Sequence, residues 1–454
     1  MSAHGATAAD AHAAARTIIV GAGWSGLACA IRLVQAGQRP LLLDAAPQAG
    51  GRARTVEHEL GGRLLALDNG QHLLLGAYRE TLALMHLIGL HPGQVLARSP
   101  FALRYPDGWH LAARRLPAPW HLGLGLLLAR GMTVPERLAL ARFTRAQQAL
   151  DWRAAPELAT SALLAGQPDA LVRRLWRPLC LAALNVEPEH ASAQIFLNVL
   201  RDSLGAGAEA SDLLVPRTDL SGVFVAGALR WLGVHGAQLR LHTPVLEVRA
   251  GAGGEPCRVG LRGEVLAAEH VVLALPPERA AALLRGTHAR LDPVVAQLGA
   301  IRMAPICTTY LRYAPGTRLP HAYYSLSDAP AQGNYAQWVF DRGQLDKRLA
   351  GVLSAVVSGA GNHLELSRGA LGQRVAAQLA AALHLPVAQE HYTLIEKQAT
   401  IVPAPGLRRP PARLPLPGLF LAGDAADSPY PSTLEGSVRS GIAAAEALLE
   451  RSAS

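Results

Sequence analysis

The stretch Thr17-Ile18-Ile19-Val20-Gly21-Ala22-Gly23-Trp24-Ser25-Gly26 decides how this chain folds. Thr17 to Val20 reads as a short buried strand and the glycines after it as a tight turn. Leu27 to Ala36 then carries apolar residues at helical spacing, up to a stop at Gly37. Arg39 to Leu43 is a second apolar strand ending at Asp44, so the segment is a βαβ unit with parallel strands. Gly21 permits the turn, Gly23 lets the backbone approach a pyrophosphate, and Gly26 lets helix and strand pack closely. The helix start, with Trp24 and Ser25 in its first turn, offers unpaired N–H groups and a positive dipole end to the phosphates. Asp44, followed by Ala45, stands where a carboxylate accepts from the ribose hydroxyls of an adenosine. FAD and NAD share this fingerprint, and the glycines do not choose between them.

Around this unit, 454 residues exceed what one small core organises and imply two or three interleaved subdomains. Half the residues are hydrophobic and 17% are charged, which excludes a disordered chain. The net charge is +9 and only Lys347 and Lys397 are lysines, so arginine carries nearly all the positive charge. An anionic partner fits that bias, and GC-rich coding explains it equally well. Nucleic acid fits poorly, because the arginines are spread out and aromatic residues make up only 5%. Cys29, Cys180, Cys257 and Cys307 lie far apart with no CxxC spacing, which argues against a zinc site or a disulfide framework and suits a reducing cytoplasm. Residues 1–15 lack the features of a secretory signal and read as a flexible tail. The most apolar run, Leu122 to Ala129, would span about 12 Å as a helix against a hydrocarbon core of about 30 Å.

From Tyr78 to Gly205, Leu- and Ala-rich segments broken by Pro117, Pro119, Pro135, Pro168 and Pro178 read as a helical insertion. Strand signals return at Gln238 to Arg249 and at His270 to Leu275. Strands at Ile306 to Tyr313, Gln337 to Phe340 and Val352 to Val357, with a helix near Leu371 to Leu383, suit a second visit to a substrate-binding half. The strand LFLAGD (Leu419 to Asp424) and a helix from Leu434 to Arg451 close the first domain. The expected partition is a nucleotide-binding domain of residues 16–77, 206–285 and 401–454, and a substrate domain of residues 78–205 and 286–400.

Gly50-Gly51-Arg52-Ala53-Arg54-Thr55 follows Asp44 and places two guanidinium groups near the pyrophosphate. Here the sequence resembles the flavin amine oxidase and carotenoid desaturase superfamily, whose members carry an acidic strand end followed by a GGR segment. The resemblance implies FAD. Leu67-Asp68-Asn69-Gly70-Gln71-His72-Leu73-Leu74-Leu75-Gly76-Ala77-Tyr78, together with Leu421-Ala422-Gly423-Asp424 and Leu434-Glu435-Gly436-Ser437-Val438-Arg439-Ser440-Gly441, looks like the squalene-associated FAD-dependent desaturases. The likeness spans the chain, with its specific motifs near the two ends. It implies an α/β fold: a Rossmann-like FAD-binding domain interleaved with an α+β substrate domain that carries a helical, membrane-facing insertion. It also implies that Gly423 and Asp424 contact the ribityl or pyrophosphate region and that backbone around Leu434, Glu435 and Ser437 faces the flavin pyrimidine ring. Gln71 and His72 are expected near the flavin, and the backbone of Val245 at the adenine. A helix start at the pyrimidine ring would stabilise the negative charge that develops there on reduction.

Amine oxidases of the superfamily usually place a lysine near flavin N5 and an aromatic residue before the terminal EG pair. Met303-Ala304-Pro305-Ile306-Cys307 has no lysine, and Thr433-Leu434-Glu435-Gly436 has no aromatic residue. A desaturase would take hydride from an isoprenoid CH2, whereas a dehydroxylase would deliver it to a carbon that has lost hydroxide; both need a long apolar tunnel. The QHLLLGAY and LEGSVRSG details resemble the squalene-associated group. They imply reductive dehydroxylation of hydroxysqualene to squalene in hopanoid biosynthesis, ahead of isoprenoid desaturation, amine oxidation or a non-catalytic FAD-containing lipid carrier. The electron donor is not identified by the sequence. His72, Tyr78 and Asp427 are candidate acids for the departing hydroxyl, each with a structural reading beside it, and a water relay is the alternative.

A hydrocarbon of about thirty carbons gains on the order of 20 kcal/mol on leaving water, at about 0.8 kcal/mol per carbon group. Exchange with a bilayer is therefore expected. Between Ala112 and Arg153, Arg114, Arg115, Arg130, Arg137, Arg142, Arg145 and Arg153 stand against only Glu136 and Asp151, beside Trp120 and the Leu122 to Leu128 run. That pattern reads as an interfacial helix on an anionic surface, the alternative being a packing helix with a solvated arginine face. The expected location is cytoplasmic, peripheral to the inner membrane.

Overall fold

The computed structural model describes residues 16–117, 119–251 and 255–452; the tail expected at 1–15 lies outside them. Thr17–Val20 is the central strand of a five-stranded parallel sheet ordered Gln238–Arg240, Leu41–Leu43, Thr17–Val20, His270–Leu273, Leu419–Leu421. Ile19, Leu42, Val272 and Phe420 face a core layer shared with the helices Trp24–Gln35 and Leu434–Ser452. Their neighbours Ile18, Val20, Leu41, Leu43, Val271 and Leu273 face a second layer. A sheet buried on both faces needs continuous apolar runs rather than alternation, which is how these strands read. A Cβ on Gly26 would lie 1.9 Å from the Gly21 carbonyl oxygen, and one on Gly441 2.1 Å from that of Ser25, so glycine alone permits this helix spacing.

A second, antiparallel sheet is ordered Tyr323–Ser325, Trp338–Asp341, Val352–Ser358, Met303–Arg312, Glu390–Ile401. One face packs Val339, Leu353, Ala355 and Val357 on the helix Arg368–Leu383 through Leu371, Val375 and Leu379. The opposite face presents Ile306, Trp338, Phe340 and Val356 to an internal cavity.

The chain departs from the sequence pattern in four places. The stretch read as helical from Tyr78 to Gly205 also holds the short strands Leu96–Ser99, Ala102–Arg104 and His110–Ala112. Leu213–Pro216 pairs with Leu96–Ser99 and Leu74–Leu75, so this strand, placed above in the nucleotide-binding part, sits outside the parallel sheet. The single strand read from Gln238 to Arg249 is two, Gln238–Arg240 in the parallel sheet and Glu247–Arg249 in a small antiparallel sheet. The hairpin Thr55–Glu59 and Leu64–Asp68 completes the differences. Among the described residues, no helix is long and apolar enough to cross a membrane.

Candidate functional site

One cavity of about 1380 Å³ extends from the Gly21 turn to the second sheet. It exceeds the roughly 300–1,000 Å³ of an ordinary small-molecule pocket and leaves room for a dinucleotide and a further ligand. Gly21, Gly23, Ser25, Asp44, Gly51 and Arg52 line one end. Gly21 turns at φ +107°, where a Cβ would strike the Ala274 carbonyl oxygen at 2.3 Å. Gly23 differs: a Cβ there meets nothing nearer than the Gly51 Cα at 3.7 Å, so its smallness serves the cavity rather than the fold. It precedes the helix Trp24–Gln35 with no side-chain cap, leaving the first amides to a ligand. Asp44 is pinned at the edge, Oδ2 accepting from the Ala22 amide at 2.7 Å and Oδ1 from Ala46 at 2.8 Å. A carboxylate has about four acceptor sites, so two remain for ribose hydroxyls. These features fit FAD.

The chain's far end closes the cradle. Arg52 donates from Nη2 to Asp424 at 2.5 Å and from Nη1 to the Ala399 carbonyl at 2.8 Å, while Arg54 donates to Gly51 at 2.5 Å. Gly423, Asp424, Leu434, Glu435 and Ser437 all line the cavity. The Glu435 carboxylate, 3% exposed, accepts from the amides of Glu80 and Thr81, the Thr81 hydroxyl and Arg439, so it anchors the helix Arg79–Leu87. In the helix Leu434–Ser452 the Gly436 amide donates to the Thr433 hydroxyl and the Ser437 amide to the Thr433 carbonyl, which leaves, among the described residues, the amides of Leu434 and Glu435 as its unpaired start.

Several expected contacts fall elsewhere. Gly26 packs against the Gly21 carbonyl and Ala274 rather than on the wall, whereas Trp24 does line the cavity, buried and donating from Nε1 to the Ala53 carbonyl at 3.1 Å. Ala45 is exposed and off the wall, with Ala46 and Pro47 on it instead. Val245 is half-buried against a core cluster and does not line the cavity. Asp427 is exposed, its amide tied to the Pro410 carbonyl, so the loop after the terminal strand turns it away from the site.

His72, Tyr78 and Gln71 do line the cavity. The His72 Nδ1 lies 2.8 Å from the Gly70 carbonyl oxygen, which only accepts, so Nδ1 carries the proton. Burial, with the Arg52 charge adding to it, holds this imidazole below its ordinary range, against the Gly70 bond. Its Nε2 therefore carries a lone pair, and the expectation that His72 is an acid gives way to an acceptor. Burial and the Glu435 carboxylate push the Tyr78 phenol well above its ordinary range, Thr433 opposing them. Gln71 is held by the Ser354 hydroxyl at 2.9 Å.

The other end of the cavity is hydrocarbon, walled by Leu73, Phe101, Phe196, Trp338, Phe340 and Val356. Tyr430, donating to Asp202 at 2.7 Å, stands on the wall with Asp202. Sequence reasoning missed these residues, since apolar positions in buried strands and helices carry no signal of which face a cavity.

The chain matches the family described as flavin containing amine oxidoreductase over residues 24–449. It is similar to a hydroxysqualene dehydroxylase of Rhodopseudomonas palustris, 31% identical over 449 residues that cover 95% of this chain and 97% of that protein. A hydroxysqualene dehydroxylase of Sinorhizobium fredii is 28% identical over 453 residues, covering 95% and 97%. Among solved structures, an oxidoreductase from Methanosarcina mazei shares the fold with TM-score 0.72 at 14% identity, covering 96% of this chain and 99% of its own. The chain thus belongs to the flavin containing amine oxidoreductase family, in its hydroxysqualene dehydroxylase branch.

Proposed function

We propose that this protein is an FAD-dependent oxidoreductase that reductively dehydroxylates hydroxysqualene to squalene. One observation carries the reading: a single cavity joins a dinucleotide cradle to a wall of Leu73, Phe101, Phe196, Trp338 and Phe340. Reduced FAD, when bound, supplies the hydride. The allylic C–O bond would break with a proton relayed from solvent water, so that the hydroxyl leaves as water, and the delocalised cation left behind would take the hydride; a C–H bond replaces the C–O bond and the substrate gains two electrons. The apolar wall excludes water and shelters the cation, and it replaces the bilayer as the solvent of the chain. His72 accepts a hydrogen bond from the substrate hydroxyl through Nε2 and orients it. Tyr78, protonated across the physiological range, donates a hydrogen bond to the departing oxygen and steadies it while water delivers the proton. The amides at the start of Leu434–Ser452 favour negative charge beside them.

The substrate's insolubility, exposed Trp120 and Leu127, and arginines such as Arg142 and Arg145 support docking on the anionic cytoplasmic face of the inner membrane. An electron donor still to be identified restores the reduced flavin. The test is mass spectrometry of the product from hydroxysqualene and chemically reduced protein. Squalene, lacking the substrate's oxygen, supports the reading; unchanged hydroxysqualene or a more unsaturated hydrocarbon overturns it.

A further inference from the structure

A second cavity, of about 920 Å³, lies against the first, and Arg79 and Ala206 line both. Its outer rim is Arg114, Arg115, Leu116 and Pro117. The rim continues into an apolar surface. Of fourteen large apolar side chains exposed among the described residues, seven fall between Leu116 and Leu150, a density no other stretch of comparable length among the described residues reaches. Trp120 is 69% exposed, Leu127 64% and Val134 67%. The patch is built as a unit, because Arg137 on the helix Val134–Ala149 donates to the carbonyls of Leu127 and Ala129 and so ties off the end of the helix Trp120–Leu127. Its other arginines are free: Arg79, Arg114, Arg115, Arg142 and Arg145 are exposed and form no ion pair among the described residues. The acids beside the rim are Glu209 and Asp212, and Asp212 is paired with Arg98 at 3.1 Å.

Between the two cavities runs the single turn Ala208–Ser211, entered through Gly207 at φ +137°, with Ala208, Glu209 and Ala210 on the second cavity and Ser211 on the first. Two backbone bonds, Gly76 to Asp212 at 2.8 Å and Ala77 to Ala210 at 2.9 Å, stitch it to the neighbouring strand end. We infer that the second cavity is the port through which the triterpene passes between bilayer and flavin cavity, over Ala206. Arg114 and Arg115 hold lipid phosphate at the rim while Leu116 and Trp120 sit among acyl chains. Guanidinium groups suit that task because they bind phosphate bidentately and remain charged. The port rests on the triterpene reading above and adds to it the route and the residues that form it.

Ala206 is exposed where the two cavities meet, so Ala206→Trp lays a large side chain across that meeting point, and Ala206→Leu is a smaller obstruction should the larger one disturb folding. Flavin content and reoxidation of the reduced flavin by ferricyanide report an intact cradle. With these unchanged, squalene formation from hydroxysqualene in phosphatidylglycerol vesicles is expected to fall by about tenfold or more. Turnover within about twofold of the unmodified protein overturns the port. In a second arm, Arg114→Ser with Arg115→Ser is expected to slow turnover from phosphatidylglycerol vesicles but not from neutral detergent micelles; equal rates from vesicles overturn the phosphate role. If the unmodified protein makes no squalene, the triterpene reading fails, and the port is judged by binding alone. Squalene should then perturb the flavin absorbance of the unmodified protein and not that of Ala206→Trp, and equal perturbation overturns the port.

Discussion

Arg52 and Asp424 stand 372 residues apart in the chain and meet through a 2.5 Å charge-assisted hydrogen bond at the floor of the cavity. The Asp424 side chain is 5% exposed and that of Arg52 30%, so the pair is sheltered on one side only. Because Arg52 also holds the Ala399 carbonyl, one side chain gathers the glycine loop, the second sheet and the terminal strand.

Arg52→Ala strands a nearly buried carboxylate and is expected to lower stability by about 1–3 kcal/mol, the upper end being reduced by the exposure of Arg52. Asp424→Asn keeps an acceptor without a stranded charge and is expected to lose less. Thermal unfolding and flavin-to-protein ratios of the two variants check this order, and equal losses would contradict it.

The two glycines of the fingerprint separate binding from folding. Gly23→Ala has room on the protein side and is expected to fold normally while binding FAD about tenfold or more weakly. Gly26→Ala forces a Cβ against the Gly21 carbonyl and is expected to cost about 1–3 kcal/mol of stability. Circular dichroism with flavin titration distinguishes them.

His72 gives a pH dependence of known sign. Its folded imidazole lies below the ordinary value, so in acid the unfolded chain binds the proton more readily. The stabilisation is complete above about pH 6.5 and is lost as pH falls through the folded value. His72→Asn retains an N–H for Gly70 and removes both the titration and the Nε2 acceptor. The melting temperature should then drop less between neutral and acid pH than in the unmodified protein, and kcat should fall by about tenfold.

Glu435→Ala leaves the amides of Glu80 and Thr81 and the Thr81 hydroxyl without their acceptor. A loss of about 3–5 kcal/mol is expected, with Glu435→Gln recovering part of it. Denaturant unfolding measures both.

The parts of this architecture set by local pattern were readable in the sequence. The βαβ unit follows from an apolar strand, a glycine turn and a helix stop at Gly37, all within one short segment. The strands of the second sheet, such as Val352–Ser358, announced themselves by runs of β-branched residues. Relations across the chain were not readable. Nothing in LFLAGDAAD says that Asp424 turns inward to Arg52 while Asp427 turns outward, because loop direction depends on what the loop packs against. The strands Leu96–Ser99 and Ala102–Arg104 are short and carry Leu and Ala as readily as a helix would, and only pairing with Leu213–Pro216 makes Leu96–Ser99 a strand. The acceptor character of His72 needed the Gly70 carbonyl to fix the tautomer.

The most direct measurement is an anaerobic single turnover: protein carrying reduced FAD is mixed with hydroxysqualene in micelles while flavin absorbance and products are followed together. The oxidised-flavin spectrum should return as one squalene forms for each flavin. A flavin that stays reduced beside intact hydroxysqualene would contradict the assignment.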